Sequence, residues 1–134
     1  MKLYSLLILL LFSIACKKSS TADNNLFSRW KVEGFLQNGS SISENATSNI
    51  FLELKNNKTF ILEREVNTCK GTFSIYKNEI IFNSSVICTE ACCDSAFSNT
   101  LLGLLDSVKA YHFTGDQLNF SGPDNLIIRL NPPN

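Results

Sequence analysis

At 134 residues, with 12 basic and 12 acidic side chains and no net charge, the chain is long enough for one ordinary domain and little more. Its charges are scattered without blocks, which removes the electrostatic signature of a protein that binds nucleic acid, and no nucleic-acid partner is expected. One histidine, no Gly-rich phosphate loop and no Ser/His/Asp grouping leave an enzyme without its usual side chains, so no catalytic residue, metal or cofactor is expected.

The N-terminus is the most explicit segment. Met1-Lys2 starts it with positive charge, Leu3 to Phe12 is almost unbroken apolar residue, and Ser13-Ile14-Ala15 places small residues before Cys16. This is the pattern of a secretory signal peptide. The apolar run falls short of the roughly 20 residues needed to span a bilayer, and polar Lys17-Lys18-Ser19-Ser20-Thr21 follows at once. The segment resembles the leader of bacterial lipoproteins. That resemblance implies removal of residues 1–15, lipidation of Cys16, and, from Lys17 in second place, an outer-membrane destination. Acyl chains at ~0.8 kcal/mol per buried methylene then tie the protein to the membrane. Ser13-x-Ala15 also satisfies ordinary signal peptidase, which leaves a soluble periplasmic protein as the alternative. Residues 16–27 read as the lipidated cysteine and a flexible tether too polar to fold, and residues 28–134 as the folded domain.

Period-2 alternation then runs through most of the chain. Trp30, Val32, Gly34 and Leu36 share one face of a first strand, with Arg29, Lys31 and Glu33 on the other. Ile50, Leu52 and Leu54 form a second inner face, and after a turn at Asn56-Asn57-Lys58 a third strand sets Phe60, Leu62 and Val66 inward against Glu63 and Glu65. A two-residue turn at Lys77-Asn78 puts Ile75 opposite Ile80 and Phe73 opposite Phe82, both pairs on one face. A turn at Gly115-Asp116 sets Phe113 opposite Leu118 and Tyr111 opposite Phe120, leaving His112 and Asn119 on the outer face. Leu126, Ile128 and Leu130 mark the final strand.

One segment departs from this period. Phe97, Leu101, Leu104, Leu105 and Val108 recur at three and four residues, a helical stripe that Asp94 or Ser95 can cap. The layout is all-β dominated: about eight antiparallel strands closed into a small β-barrel, with one helix inserted after the fifth strand. Closure removes edges that would otherwise pair between molecules.

Cys69-Lys70-Gly71-Thr72-Phe73, Asn78 to Phe82, Thr89-Glu90-Ala91-Cys92-Cys93, the spaced Phe97, Leu101 and Val108, and Tyr111-x-Phe113-x-Gly115-Asp116-x-Leu118-x-Phe120 together resemble the META (HslJ-like) domain over roughly residues 29–131. Cys88 and Cys93 lie outside that pattern. Trp30 after Ser28-Arg29 is also similar to the Gly-x-Trp of lipocalin-like barrels, with the glycine missing. The META resemblance implies a small β-barrel with a helix, often on an envelope lipoprotein, without established enzymatic activity.

Cysteines are the main candidate chemistry. With Cys16 lipidated, Cys69, Cys88, Cys92 and Cys93 remain, an even number in an oxidising compartment, and disulfides are the default. Three connectivities exist. A bond between adjacent Cys92 and Cys93 reads as sterically strained, which favours Cys69 to Cys92 with Cys88 to Cys93, or Cys69 to Cys93 with Cys88 to Cys92. A single disulfide with free thiols is an alternative, as is a four-thiolate metal site, for which Cys-x3-Cys-Cys lacks the usual Cys-x2-Cys spacing. Glu63 and Glu65 read as outward, solvated carboxylates. Asp94-Ser95-Ala96 and Asp106-Ser107-Val108 resemble a short bacterial O-glycosylation motif, and read as helix cap and helix surface.

Two functions follow. The first is a lipid-anchored, non-enzymatic envelope protein whose META-like domain serves envelope maintenance or stress tolerance through protein contacts. The second is a lipocalin-like carrier of a small apolar ligand. They differ in what fills the interior, and inward Phe60, Phe73, Phe82, Phe113 and Phe120 favour a filled one.

Overall fold

The computed structural model describes residues 26–37 and 42–133. Cys16, the leader and most of the tether lie outside them. In chain order the elements are β1 (Arg29–Gln37), β2 (Ile42–Asn45), β3 (Phe51–Leu54), β4 (Thr59–Glu63), β5 (Thr68–Tyr76), β6 (Glu79–Phe82), β7 (Ile87–Cys88), α1 (Ala96–Leu105), β8 (Ala110–Thr114), β9 (Gln117–Gly122) and β10 (Leu126–Asn131).

Antiparallel pairing runs β1, β3, β4, β5, β6, β8, β9, β10, and β10 returns to β1, so the sheet closes into a barrel-like ring. Two short strands lengthen it. β2 pairs with Gly34 to Gln37 beyond the stretch of β1 that pairs with β3, and β7 pairs with Cys69 and Lys70 beyond the stretch of β5 that pairs with β6. The helix therefore follows the seventh strand, not the fifth. Neither addition shows alternation in the sequence, because Ile-Ser-Glu-Asn holds one apolar residue and Ile-Cys is too short for a period.

Both hairpin registers follow from their turns. Phe73 faces Phe82 and Ile75 faces Ile80 across a turn in which Lys77 takes φ 55°, and Tyr111 faces Phe120 and Phe113 faces Leu118 across Gly115 at φ 60°. Asp124 and Asn125 carry φ 56° and 51° between β9 and β10, the pair of left-handed residues that a tight hairpin demands. The ring's thinnest seam lies between β6 and β8. There Glu79 pairs with Ala110, while Ile80 N–H donates to Lys109 O at 3.1 Å and Tyr111 N–H to Asn78 O at 2.9 Å.

Aromatic side chains fill the interior. The Phe82 ring packs on Phe60, Phe73 and Phe120 at centroid distances of 5.2, 5.9 and 5.5 Å, and all four residues are buried. Phe113 is the exception among the expected inward phenylalanines. It is half-buried, against Trp30 at 5.9 Å and Tyr111 at 6.3 Å. Trp30 Nε1–H donates to Leu26 O at 3.0 Å, and Leu26 is itself buried, so the core starts two residues before position 28.

Alternation fails at two places for physical reasons. A β-bulge between Val32 and Gly34 shifts the phase of β1, so Phe35 rather than Leu36 enters the core. β4 ends at Glu63, the Arg64 N–H donates to Asn67 O at 2.9 Å, and Val66 is left 52% exposed instead of facing inward. Asn119 shares the outer face with His112, yet it is buried while His112 is exposed.

Helix α1 obeys its stripe. Phe97, Leu101, Leu104, Leu105 and Val108 are all buried, Phe97 stacks on Phe35 at 5.0 Å, and Ser95 caps the N-terminus by accepting from Ser98 N–H at 3.1 Å. The chain leaving α1 crosses Gly122 so closely that a Cβ there would stand 2.2 Å from Ser107 O.

Candidate functional site

The cysteines divide differently from the favoured connectivities. Cys69 on β5 and Cys88 on β7 are direct cross-strand partners and form one disulfide, with their Cα atoms 4.0 Å apart. Cys92 and Cys93 form the other, through the adjacent pairing that steric reasoning disfavours, with a cis peptide between them. The short strand β7 decides this outcome. Once Ile87 and Cys88 join the ladder, Cys69 pairs with Cys88, and among the described residues Cys92 and Cys93 are the cysteines that remain.

The loop that carries Cys92 and Cys93 is held from below by polar side chains. Asn67 donates through Nδ2 to Ala91 O and to Asp94 Oδ2, each at 2.6 Å, and its Oδ1 accepts from Ala91 N–H and Thr89 Oγ1, each at 2.8 Å. Asp94 also accepts from Val66 N–H at 3.1 Å and Asn67 N–H at 3.3 Å, and it pairs with Arg64 at 3.1 Å with both side chains almost fully buried. Residues on both sides of the cysteine pair are thus bonded to one turn, Arg64 to Asn67. Burial alone would raise the Asp94 carboxyl, but Asn67, the two backbone N–H groups and the Arg64 charge hold it below its ordinary range.

Glu65 is not an outward solvated carboxylate. It accepts from Ser48 Oγ at 2.9 Å and Ser95 Oγ at 2.6 Å, and from Ser98 Oγ, so it joins the β2–β3 connection to the start of α1. Burial pushes its pKa up, and the hydroxyls of Ser95, Ser98 and Ser48 with its own backbone N–H outweigh that and lower it from 4.5 to about 2. Glu63, by contrast, pairs with Arg29 at 2.5 Å on the half-exposed sheet surface. Ser95 serves as the helix cap and a Glu65 partner, which accounts for the Asp94-Ser95 dipeptide structurally.

The sequence pattern marks Asp94 only as a candidate helix cap and does not single out Arg64 or Asn67, because their partners lie more than 20 residues away. The usable signal is the break in alternation after Glu63. Among the described residues, no group of three or more His, Cys, Asp or Glu side chains is placed to hold a metal ion, and no helix is long and apolar enough to cross a membrane. Open hollows occur on the surface, among them one of about 590 Å³ lined by Leu26, Phe27, Ile75, Tyr111 and His112.

Three solved structures share this fold. A protein from Burkholderia xenovorans superposes with a TM-score of 0.63 at 12% identity, over 80% of this chain and 82% of that one. A DUF4847 family protein from Bacteroides vulgatus gives 0.60 at 12% identity, over 80% and 93%. No curated protein matches the sequence. The model of the META domain matches residues 24–131, a span that begins just before buried Leu26 and ends with β10. That match, the closed ring and the helix inserted before its last three strands make this chain a member of the META domain family.

Proposed function

We propose that this META-family protein is a lipid-anchored component of the cell envelope, held at the outer membrane through Cys16 after cleavage of residues 1–15, with a non-enzymatic role in envelope maintenance or stress tolerance through protein contacts. The leader sequence supports the anchor. The observation that carries the role is the filled interior: the Phe60, Phe73, Phe82 and Phe120 rings occupy the space that a barrel carrier keeps for its ligand. Such a domain works through its surface.

The test is direct. Wild-type protein should partition with membranes and carry acyl mass on Cys16, and Cys16→Ser should leave the precursor uncleaved or release the product. An unacylated, freely soluble mature protein overturns the proposal.

A second reading rests on the apolar-lined hollow beside Leu26, Phe27, Ile75 and Tyr111, about 590 Å³ in volume. Its size is within the range of small-molecule sites. In that reading the protein binds a small apolar ligand at the rim of the ring rather than inside it. Mass spectrometry of lipids extracted from the purified protein distinguishes the two, since a stoichiometric apolar molecule supports the binder.

A further inference from the structure

The two disulfides differ in every property that decides whether such a bond serves the fold. Cys69 is fully buried, Cys88 is half-buried, and their bond closes a separation of 19 residues between two paired strands. Cys92 and Cys93 are both exposed and are adjacent in the chain, so their bond encloses no intervening residue and removes almost no freedom from the unfolded chain. The loop does not depend on it. Ala91 on one side is held by both its N–H and its carbonyl to Asn67, and Asp94 on the other is held by Asn67, Val66 and Arg64. Breaking the Cys92–Cys93 bond leaves that frame in place and keeps the two sulfurs neighbours.

We propose that Cys92–Cys93 is a reversible two-electron redox site on the surface, whose reaction partner is the dithiol of a Cys-x-x-Cys oxidoreductase. One partner thiolate attacks an exposed sulfur and forms a mixed disulfide, and the other cysteine leaves as a thiolate that takes up a proton. The partner's second thiolate then attacks the mixed disulfide, which releases the second cysteine as a thiol and closes the partner's own disulfide. Two electrons and two protons pass to this protein, and the partner is oxidised. Reversal runs through the same intermediate, favoured because adjacent thiols react at high effective concentration. Cys69–Cys88 is the less accessible bond, since Cys69 is buried in the core and Cys88 is half-buried in the ladder, and it exchanges more slowly.

The experiment uses the full mature chain, purified without reductant and kept folded. Thioredoxin or dithiothreitol is added at graded concentration, samples are quenched by alkylation, and peptides are mapped. Labels should appear on Cys92 and Cys93 at least about tenfold faster than on Cys69 and Cys88, with an unchanged circular dichroism spectrum. Phenylarsine oxide should then bind once, bridging the two new thiols with loss of one water, and oxidised glutathione should restore the bond. The double variant Cys92→Ser/Cys93→Ser should fold and lose the fast phase and the arsenical adduct. Simultaneous reduction of both bonds, reduction only on unfolding, or a native map lacking a Cys92–Cys93 link overturns the proposal. None of these readouts depends on whether Cys16 is acylated.

Discussion

Phe82 is the residue on which the most aromatic ring contacts converge among the described residues, since its ring meets Phe60, Phe73 and Phe120. Phe82→Ala should therefore cost about 3 to 5 kcal/mol by transfer and cavity terms. Ile81 is its neighbour on the other face and is 42% exposed, so Ile81→Ala should cost less than about 1 kcal/mol. Urea denaturation of the two variants checks the pair, and equal losses would contradict the inward register. Glu65 gives the acid response. Its pKa stands at about 2 in the folded chain against 4.5 ordinarily, so the unfolded chain binds the proton more readily across that interval. The stability it supplies is complete above pH 4.5 and is lost as pH falls towards 2. Thermal melts of Glu65→Gln should show a lower Tm at neutral pH and a flatter decline across the same acid window than wild type.

At the scale of elements, alternation identified the strands wherever one face met the core and the other met water. Its phase errors came from features a single strand cannot announce. The bulge in β1 is a register shift against β10 that reverses the roles of Phe35 and Leu36, and beside it β2 approaches Gly34 so closely that a Cβ would lie 2.4 Å from Glu44 O. The end of β4 depends on Asn67 and Asp94, which draw Arg64 to Asn67 into a turn and leave Val66 outside. A comparable close approach governs the passage from α1 to β8. Gly122→Ala would set a methyl 2.2 Å from Ser107 O, a backbone atom that no rotamer change relieves. The connection must shift, and a loss of about 1 to 3 kcal/mol is expected, read as a lower denaturation midpoint with an unchanged slope. Ala at Gly103, where a Cβ meets nothing within 4 Å, is the control and should stabilise α1.

For the whole molecule, closure through β10 and β1 leaves the β6–β8 seam as the place with fewest ladder bonds. The Cys69–Cys88 bond ties β5 to β7 shortly before the chain turns to α1 and then β8. Replacing both by serine should lower stability by about 3 kcal/mol on the chain-entropy estimate for its loop. Replacing Cys92 and Cys93 should change it little. Calorimetry of the two double variants, run without reductant, checks the contrast.

By itself the sequence determined the strand-rich class, the hairpin registers at Lys77-Asn78 and Gly115-Asp116 and the buried stripe of α1, and it marked Cys69, Cys88, Cys92 and Cys93 as the candidates for crosslinks. These rest on local periodicity, turn chemistry and composition, which act within a few residues. Only the tertiary structure decided which cysteine meets which, that Glu65 binds three serines, that Asn67 and Asp94 hold the cysteine loop, and that Phe113 stays at the rim. Each of those depends on groups brought together from distant positions by the closing of the ring, and no local pattern encodes which distant groups will meet.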